Sequence, residues 1–296
     1  MSYLIDFRDV SLQTCIERNN SRVGFQEYKY VPIDVINKMH KKLMSMRVPK
    51  GYEVIKPEDF EHITLESTKV DLSKYDNIYH VGDIQGMGGA ITEFLEVYPI
   101  MDNNFYIFTG DWIDRGDSNH IALEVFIKLS KLPNVIVIEG NHDRYLMNYL
   151  NGIEVVYPEF VDKTLPQILS SSLDLKELKK AVEVFKPFFY YWYNNKDIFT
   201  NHGGLSCLPQ YVTLLSRNDY VRGSGLYNEI DIVDNAFVVN IKDNQYQIHG
   251  HRNTNQAPVQ STERTFNLEG NVEYGGRLIV VVLNKEGFEA FKFPDS

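Results

Sequence analysis

The chain of 296 residues has only two cysteines, Cys15 and Cys207, far apart and outside any motif. That scarcity excludes a disulfide framework and a thiolate metal site, and it points to a reducing, cytoplasmic setting. No apolar run approaches the roughly 18 residues that a membrane span needs. The opening "MSYLIDFRDV" lacks the basic-then-apolar profile of a signal peptide. Basic residues are outnumbered, and the formal charge of −10 argues against extended binding to a nucleic-acid backbone. It leaves room for a local cationic pocket, which bound metal ions would supply. Internal repeats and low-complexity tracts are also missing.

What remains is ordinary globular material, 43% hydrophobic and 24% charged, enough for a sizeable core. Two regions differ in character. In residues 1–73 the segment "VPIDVINKMHKKLMSM" sets Ile36, Met39, Leu43 and Met46 on one helical face, which predicts an amphipathic helix. The following "RVPKGYEVIKPEDF" reads as turns and a short strand. No chemistry is visible there, so 1–73 is expected to be an N-terminal extension of unknown role, and 74–296 the main domain.

From Lys74 onward, "NIYHVGDIQG", "NFYIFTGDWIDRG" and "NVIVIEGNHD" are β-rich runs that end in Gly or Gly-Asp. The helical stretches "AITEFLEVYP" and "SNHIALEVFIKLSKL" separate them. Strands alternating with helices imply βαβ units and a parallel, buried sheet, with ligands beyond the carboxyl ends of the strands. The later segments "DIFTNHGG", "YQIHGHRN" and "RLIVVVLNKEGFEAFKF" predict a second set of strands with antiparallel character. The aromatic run "FKPFFYYWYNN" is expected under the core, although Tyr190 to Tyr193 in a cleft would favour a nucleotide or RNA end. "SSSLDLKELKKAVEVF" reads as a capped surface helix.

The strand ends carry Asp83, Gln85, Asp111, Asp114, Arg115, Asn141, His142, Asp143, His202, His249 and His251. Any one of them could be a helix cap or a structural histidine. Five such signatures together suit a borderline divalent ion held by carboxylate, amide oxygen and imidazole. The series "GDIQG…GDWIDRG…GNHD…NHGG…HGH" resembles the calcineurin-like metallophosphoesterases, and within them the phosphoprotein-phosphatase branch. The tail "RTFNLEGNVEYGGRLIVVVL" resembles the closing strands of bacterial and phage members.

The resemblance implies an α/β fold of α+β type: a four-layer sandwich of two mixed β-sheets flanked by helices. It implies two divalent metal ions, Mn first and Fe, Zn, Ni or Mg as alternatives. Metal 1 would be held by Asp83, Gln85 and Asp111, and metal 2 by Asp111, Asn141, His202 and His251. In the wider family pattern His249 binds metal 2 and His251 metal 1, and both assignments stay open here. His142 resembles the general acid, Asp114 the carboxylate that orients it, and Arg115 a phosphate clamp. Arg222, in "DYVRGSGLYNE", is the matching second arginine. The implied activity is phosphoester hydrolysis by in-line attack of a metal-bridging hydroxide, phosphomonoesters preferred. Substrates would be a phosphoprotein, a nucleotide or an RNA end. Symmetrical dinucleoside polyphosphate hydrolysis and RNA-end repair are the alternative activities, and a partner-binding scaffold is the alternative of another class.

Gln85 stands where a histidine is usual. It could ligate through its amide oxygen, bond only a metal-bound water, or mark a decayed site. Bacterial symmetrical tetraphosphatases often carry the same Gly-Asp-x-Gln-Gly together with Gly-Asn-His-Asp. The Asp114-Arg115-Gly-Asp form is closer to the protein phosphatases.

Overall fold

The computed structural model describes residues 3–20, 31–47, 53–56, 64–212, 215–252 and 258–294. The turns expected within 48–52 and 57–63 lie outside them. The chain divides into two compact units, Met1–Ser67 with Tyr211–Thr213, and Thr68–Gln210 with Leu214–Ser296.

In the first unit, β1 (Tyr3–Ile5) pairs in parallel with β2 (Glu53–Ile55), and two helices, α1 (Leu12–Asn20) and α2 (Ile33–Ser45), lie between them in sequence. Helix α2 is the amphipathic segment expected from its spacing. With Cys15, Asn19 and Val31, its Ile36, Met39, His40, Lys42 and Leu43 line a cavity of about 530 Å³ together with Met46.

The second unit runs β3 (Val70–Asp71), β4 (Asn77–Val81), α3 (Gly88–Val97), β5 (Asn104–Phe108), α4 (Asn119–Leu129), β6 (Val135–Val137) and α5 (Asp143–Leu150). It continues with α6 (Leu165–Leu169), α7 (Leu175–Ala181), β7 (Phe188–Tyr193), β8 (Lys196–Asn201), α8 (Arg217–Arg222) and α9 (Ile230–Val239). Strands β9 (Gln245–His249), β10 (Thr265–Asn267), β11 (Leu278–Asn284) and β12 (Gly287–Phe293) complete it. They form two five-stranded mixed sheets, ordered β12-β11-β4-β5-β6 and β10-β9-β8-β7-β3. The antiparallel character expected of the second half holds for β7–β8 and β11–β12, whereas β8–β9 and β9–β10 are parallel. The long connection through α8 and α9 lets β9 return in the direction of β8, as a parallel neighbour requires.

Strand periodicity of two assigns the layers. Ile78, Phe105, Ile107, Val281 and Leu283 face Tyr191, Tyr193, Ile198, Ile248 and Phe266 of the other sheet. Val81, Tyr106, Phe108, Val280 and Val282 face outward onto Ile91, Phe94, Leu123 and Phe126 of α3 and α4. The outer side of the second sheet meets α8, where Tyr220 packs against Phe188 and Phe199. Each of these large side chains contributes roughly 1.5–3 kcal/mol by leaving water. The run "FFYYWY" is therefore core: Tyr190, Tyr191 and Tyr193 are buried in β7. Helix α7 is capped by Asp174, which accepts from the Lys176 and Glu177 amides.

A buried polar contact crosses between the sheets at His80. His80, wholly buried on β4, lies 3.1 Å from Val281 O through Nδ1 and 2.9 Å from the Tyr191 hydroxyl through Nε2. A carbonyl only accepts, so Nδ1 carries the proton and Nε2 accepts from Tyr191. Burial holds the imidazole near a pKa of about 3, below its ordinary 6.5, despite the Val281 carbonyl. The unfolded chain takes up a proton below pH 6.5 that the folded chain refuses until pH 3. Stability from this group is complete above 6.5 and falls by up to about 1.4 kcal/mol per pH unit on acidification. His80→Gln should be less stable than the parent at pH 7, with the gap narrowing in urea melts at pH 6 and 5. A gap that stays constant would show that His80 is not neutral in the fold.

Candidate active site

Five non-glycine residues with left-handed backbones mark the strand ends. Gln85 (φ 49°), Asp111 (φ 51°), Asp114 (φ 76°), Arg115 (φ 60°) and His251 (φ 69°) share this conformation, and the other three such residues among those described are asparagines. Asparagine tolerates it, whereas bulkier residues hold it at a cost of roughly 1–3 kcal/mol each when their surroundings enforce it. All five come from the motifs read in the sequence.

The loop after β5 is held by Asp143, the first residue of α5. Its Oδ2 accepts the Asp111 amide at 2.9 Å and the Gly140 amide at 2.8 Å, and its Oδ1 accepts the Trp112 amide at 2.8 Å. Burial and the nearby Asp111 charge raise the Asp143 carboxyl to about 7. Gly140 is required by close approach, since a Cβ there would lie 2.1 Å from Asp111 Oδ1. Gly250 is constrained alike, its Cβ position lying 1.9 Å from Asp83 Oδ1.

These constraints bring together a group of polar atoms with too few donors. His202 donates through Nδ1 to Thr109 O at 2.7 Å. Its Nε2 then faces Asn141 Oδ1 at 3.1 Å and Asp111 Oδ2 at 3.4 Å. Asp111, His202 and His251 could hold a metal ion, each offering a ligand atom within 4.8 Å of the others. Gln85 donates Nε2 to Asp111 Oδ2 at 2.9 Å, while its buried Oε1 has no partner. Asp83 accepts the His251 amide at 3.0 Å and the Thr109 hydroxyl at 3.3 Å. Burial opposes charge on every one of these groups. Burial and then Glu269, which hydrogen-bonds Asp83, push the Asp83 carboxyl well above the carboxylate range. At Asp111 burial is outweighed by His202 and His142, which keep its carboxyl ionised. His202, against its own burial, is raised to about 10 by Asp111 and Asp83, and His251 is lowered to about 2 by burial and by His202. An orphaned amide oxygen among carboxylates and imidazoles fits a borderline divalent cation.

Beside this group is a second constellation. His142 Nδ1 lies 2.7 Å from Asp114 Oδ2, and Thr164 bonds the other Asp114 oxygen at 2.5 Å. A carboxylate only accepts, so Nδ1 carries the proton and Nε2 accepts from Arg115 at 3.1 Å. Burial lowers the His142 pKa, but Asp111 and Asp114 together raise it above the ordinary value. Arg115 is anchored at 2.8 Å by Glu273 Oε1, a carboxylate 1% exposed. Arg222, exposed at the end of α8, is felt electrostatically by His251.

His249 is not brought to the group. Its ring nitrogens lie 2.9 Å from Gly250 O and 3.1 Å from Asp234 Oδ1 on α9, and a short bond from Ser261 completes the Asp234 environment. Sequence reasoning missed the acids Glu269 and Glu273, whose only signal was a pair of carboxylates in the glycine-rich "LEGNVEYGG". It also missed Arg252. That guanidinium, 0% exposed, donates to the carbonyls of Gly203 (2.6 Å), Arg222 (2.9 Å), Ser224 (2.6 Å) and Leu226 (2.6 Å).

The Metallophos family model, calcineurin-like phosphoesterase, matches residues 77–281. Over 112 residues, 38% of the chain, there is 30% identity with the symmetrical bis(5'-nucleosyl)-tetraphosphatase of Coxiella burnetii, of which 37% is covered. The serine/threonine-protein phosphatase PP2A-like PPG1 of Candida albicans is 27% identical over 122 residues, 38% of this chain and 28% of that protein. The chain thus spans about a third of the length of these curated relatives. A crystal structure of a candidate diadenosine tetraphosphatase superposes with a TM-score of 0.55 at 15% identity, covering 77% of this chain and 99% of that one. A serine/threonine phosphatase from Saccharomyces cerevisiae, similar to human PP5, gives 0.50 at 14% identity, with 95% and 96% covered. At such identities the likeness is one of fold.

Arg252→Lys should cost about 3 kcal/mol or more in chemical unfolding, because a lysine cannot satisfy four converging carbonyls. Full stability in the lysine variant would show that the four carbonyls do not need the guanidinium fork.

Proposed function

Since the chain belongs to the calcineurin-like phosphoesterases, we propose that it is a metal-dependent phosphatase acting on phosphomonoesters. The observation that carries this reading is His142, fixed by Asp114 at 2.7 Å beside the Asp111–His202–His251 group. Asp83, Gln85, Asp111, Asn141, His202 and His251 would hold two divalent ions, with Mn the first candidate. When bound, such ions polarise phosphoryl oxygens and lower the pKa of a water to make a nucleophile at neutral pH.

The chain's own residues do the rest. Asp114 fixes the His142 tautomer, so Nε2 is the nitrogen that exchanges a proton with the leaving oxygen. Nε2 accepts from Arg115 in the structure; once that guanidinium turns to phosphate, Asp111 and Asp114 favour a proton in its place, and general acid help of this kind is worth about 10²–10⁴-fold. Arg115 keeps guanidinium N–H groups free of Glu273 and His142, and these would take non-bridging phosphate oxygens, joined by Arg222. Glu273 fixes the direction in which they point. The absence of partners for Gln85 Oε1 favours its ligating role over a decayed site. The absence of a membrane-crossing helix among the described residues, with Cys15 and Cys207 unpaired, fits a cytoplasmic enzyme.

A second reading, hydrolysis of dinucleoside polyphosphates, is favoured by the 30% identity to the symmetrical tetraphosphatase. A panel of phosphopeptide, diadenosine tetraphosphate and RNA 3′-phosphate separates these substrates.

With Mn added, p-nitrophenyl phosphate turnover should fall at least about 100-fold in His142→Ala and in Asp111→Asn. Equal, negligible turnover in all three proteins would leave a scaffold that binds without hydrolysing. Gln85→His should tighten metal binding in calorimetric titrations and shift preference toward Zn or Fe, imidazole being the softer donor. An unchanged titration would mean that Gln85 does not face the metal.

A further inference from the structure

Phosphoryl chemistry leaves two side chains next to His142 unused. Tyr145 stands one turn along α5 from it, on the same helical face. Tyr157 returns from the segment after α5, and its ring stacks on Tyr145 with centroids 4.4 Å apart and planes at 12°. Both rings meet the His142 imidazole edge-on, at 6.0 and 5.8 Å. Phe160 backs Tyr145 at 6.3 Å, and Tyr157 donates its hydroxyl to Glu159 at 3.2 Å. The pair is thus fixed from behind and below, yet both rings remain half-buried at the surface.

Charges of the site reach both phenols. The Tyr145 phenol lies within electrostatic reach of Arg222, Asp114 and Asp111, and that of Tyr157 within reach of Arg115. The pair thus borders His142, whose Nε2 lies 3.1 Å from the Arg115 guanidinium.

We infer that Tyr145 and Tyr157 form a leaving-group subsite for an aryl ring, so that esters of phenols are hydrolysed in preference to esters of aliphatic alcohols. This rests on the phosphatase reading with His142 as proton donor. A stacked aromatic wall rewards a flat ring by offset or edge-to-face contact, which a puckered aliphatic ring of equal size cannot return. A ring bonded directly to the leaving oxygen reaches the wall. A nucleobase, held away by its ribose, passes beyond it.

The test compares kcat/KM for phenyl phosphate and cyclohexyl phosphate, with Mn, in the parent and in Tyr145→Leu/Tyr157→Leu. Intrinsic reactivity cancels in the ratio between the two proteins. The double variant should lower the phenyl/cyclohexyl ratio about five- to tenfold, the size of one or two ring contacts. Tyr145→Phe/Tyr157→Phe should keep the parent ratio. Equal loss on both substrates would reduce the pair to packing and overturn the subsite. An unchanged phenyl ratio with a fall only in adenosine 3′-monophosphate against glycerol phosphate would overturn it in favour of a base. Phenylphosphonate should also inhibit the unmodified protein more tightly than cyclohexylphosphonate, and equal inhibition would count against the subsite whether or not the variants fold. No turnover of either ester by the parent would overturn the phosphatase reading itself, and this inference with it.

Discussion

Too many acids and too few cations are packed at one end of the two sheets, and the rest of the unit is arranged around that imbalance. Asp83, Asp111, Asp143 and Glu269 are each no more than 1% exposed. Buried carboxylates are tolerated only when a proton, a hydrogen-bond donor or a cation answers each charge. Asp143 is answered by three backbone amides, Asp111 by His202 and the His142 amide, and Asp83 by a hydrogen bond shared with Glu269. Divalent ions would replace the proton between Asp83 and Glu269 and the one on His202. Folding thus prepares a demand for positive charge before any ligand arrives.

Geometry enforces the imbalance. The sheets, packed on both faces, fix where β4, β5, β6, β8 and β9 end, and the turns beyond them must bend sharply to aim side chains at one point. The left-handed residues are those turns. Their strain is carried by the clamp of Asp143, by the amide pair from Ile84 and Gln85 to Asp111 O, and by glycines that let backbone touch carboxylate. A local preference is overridden where the surroundings determine the conformation more strongly.

Much of this was legible because strand-end motifs are local: an apolar run and the polar residues after it are adjacent in sequence. The strands and the polar residues at their ends, Asp83, Gln85, Asp111, Asn141, His202 and His251 among them, follow from that, whereas the choice of these six came from the family resemblance. What stayed open depended on partners distant in sequence. The choice between His249 and His251 turns on Asp234, which sits on α9 and carries no motif. The parallel pairing of β8 with β9 depends on what two helices do between them. The core position expected for Tyr190 to Tyr193 rested on composition alone until β7 found β3 and β8 on either side. Glu273 could not be matched to Arg115 from the sequence, since 158 positions separate them.

Arg252 ties together more than its carbonyls suggest. Its four acceptors belong to the residue after His202, to Arg222 itself and to the loop beyond it, while its own backbone directly follows His251. Two imidazoles of the charged centre and the outlying arginine therefore share one internal rivet. Chain length between Arg222 and Leu226 is fixed by that rivet. Tyr227, just past its last acceptor, meets the His251 imidazole edge-on with ring centroids 5.0 Å apart, so the loop that the rivet holds also reaches back to the charged centre.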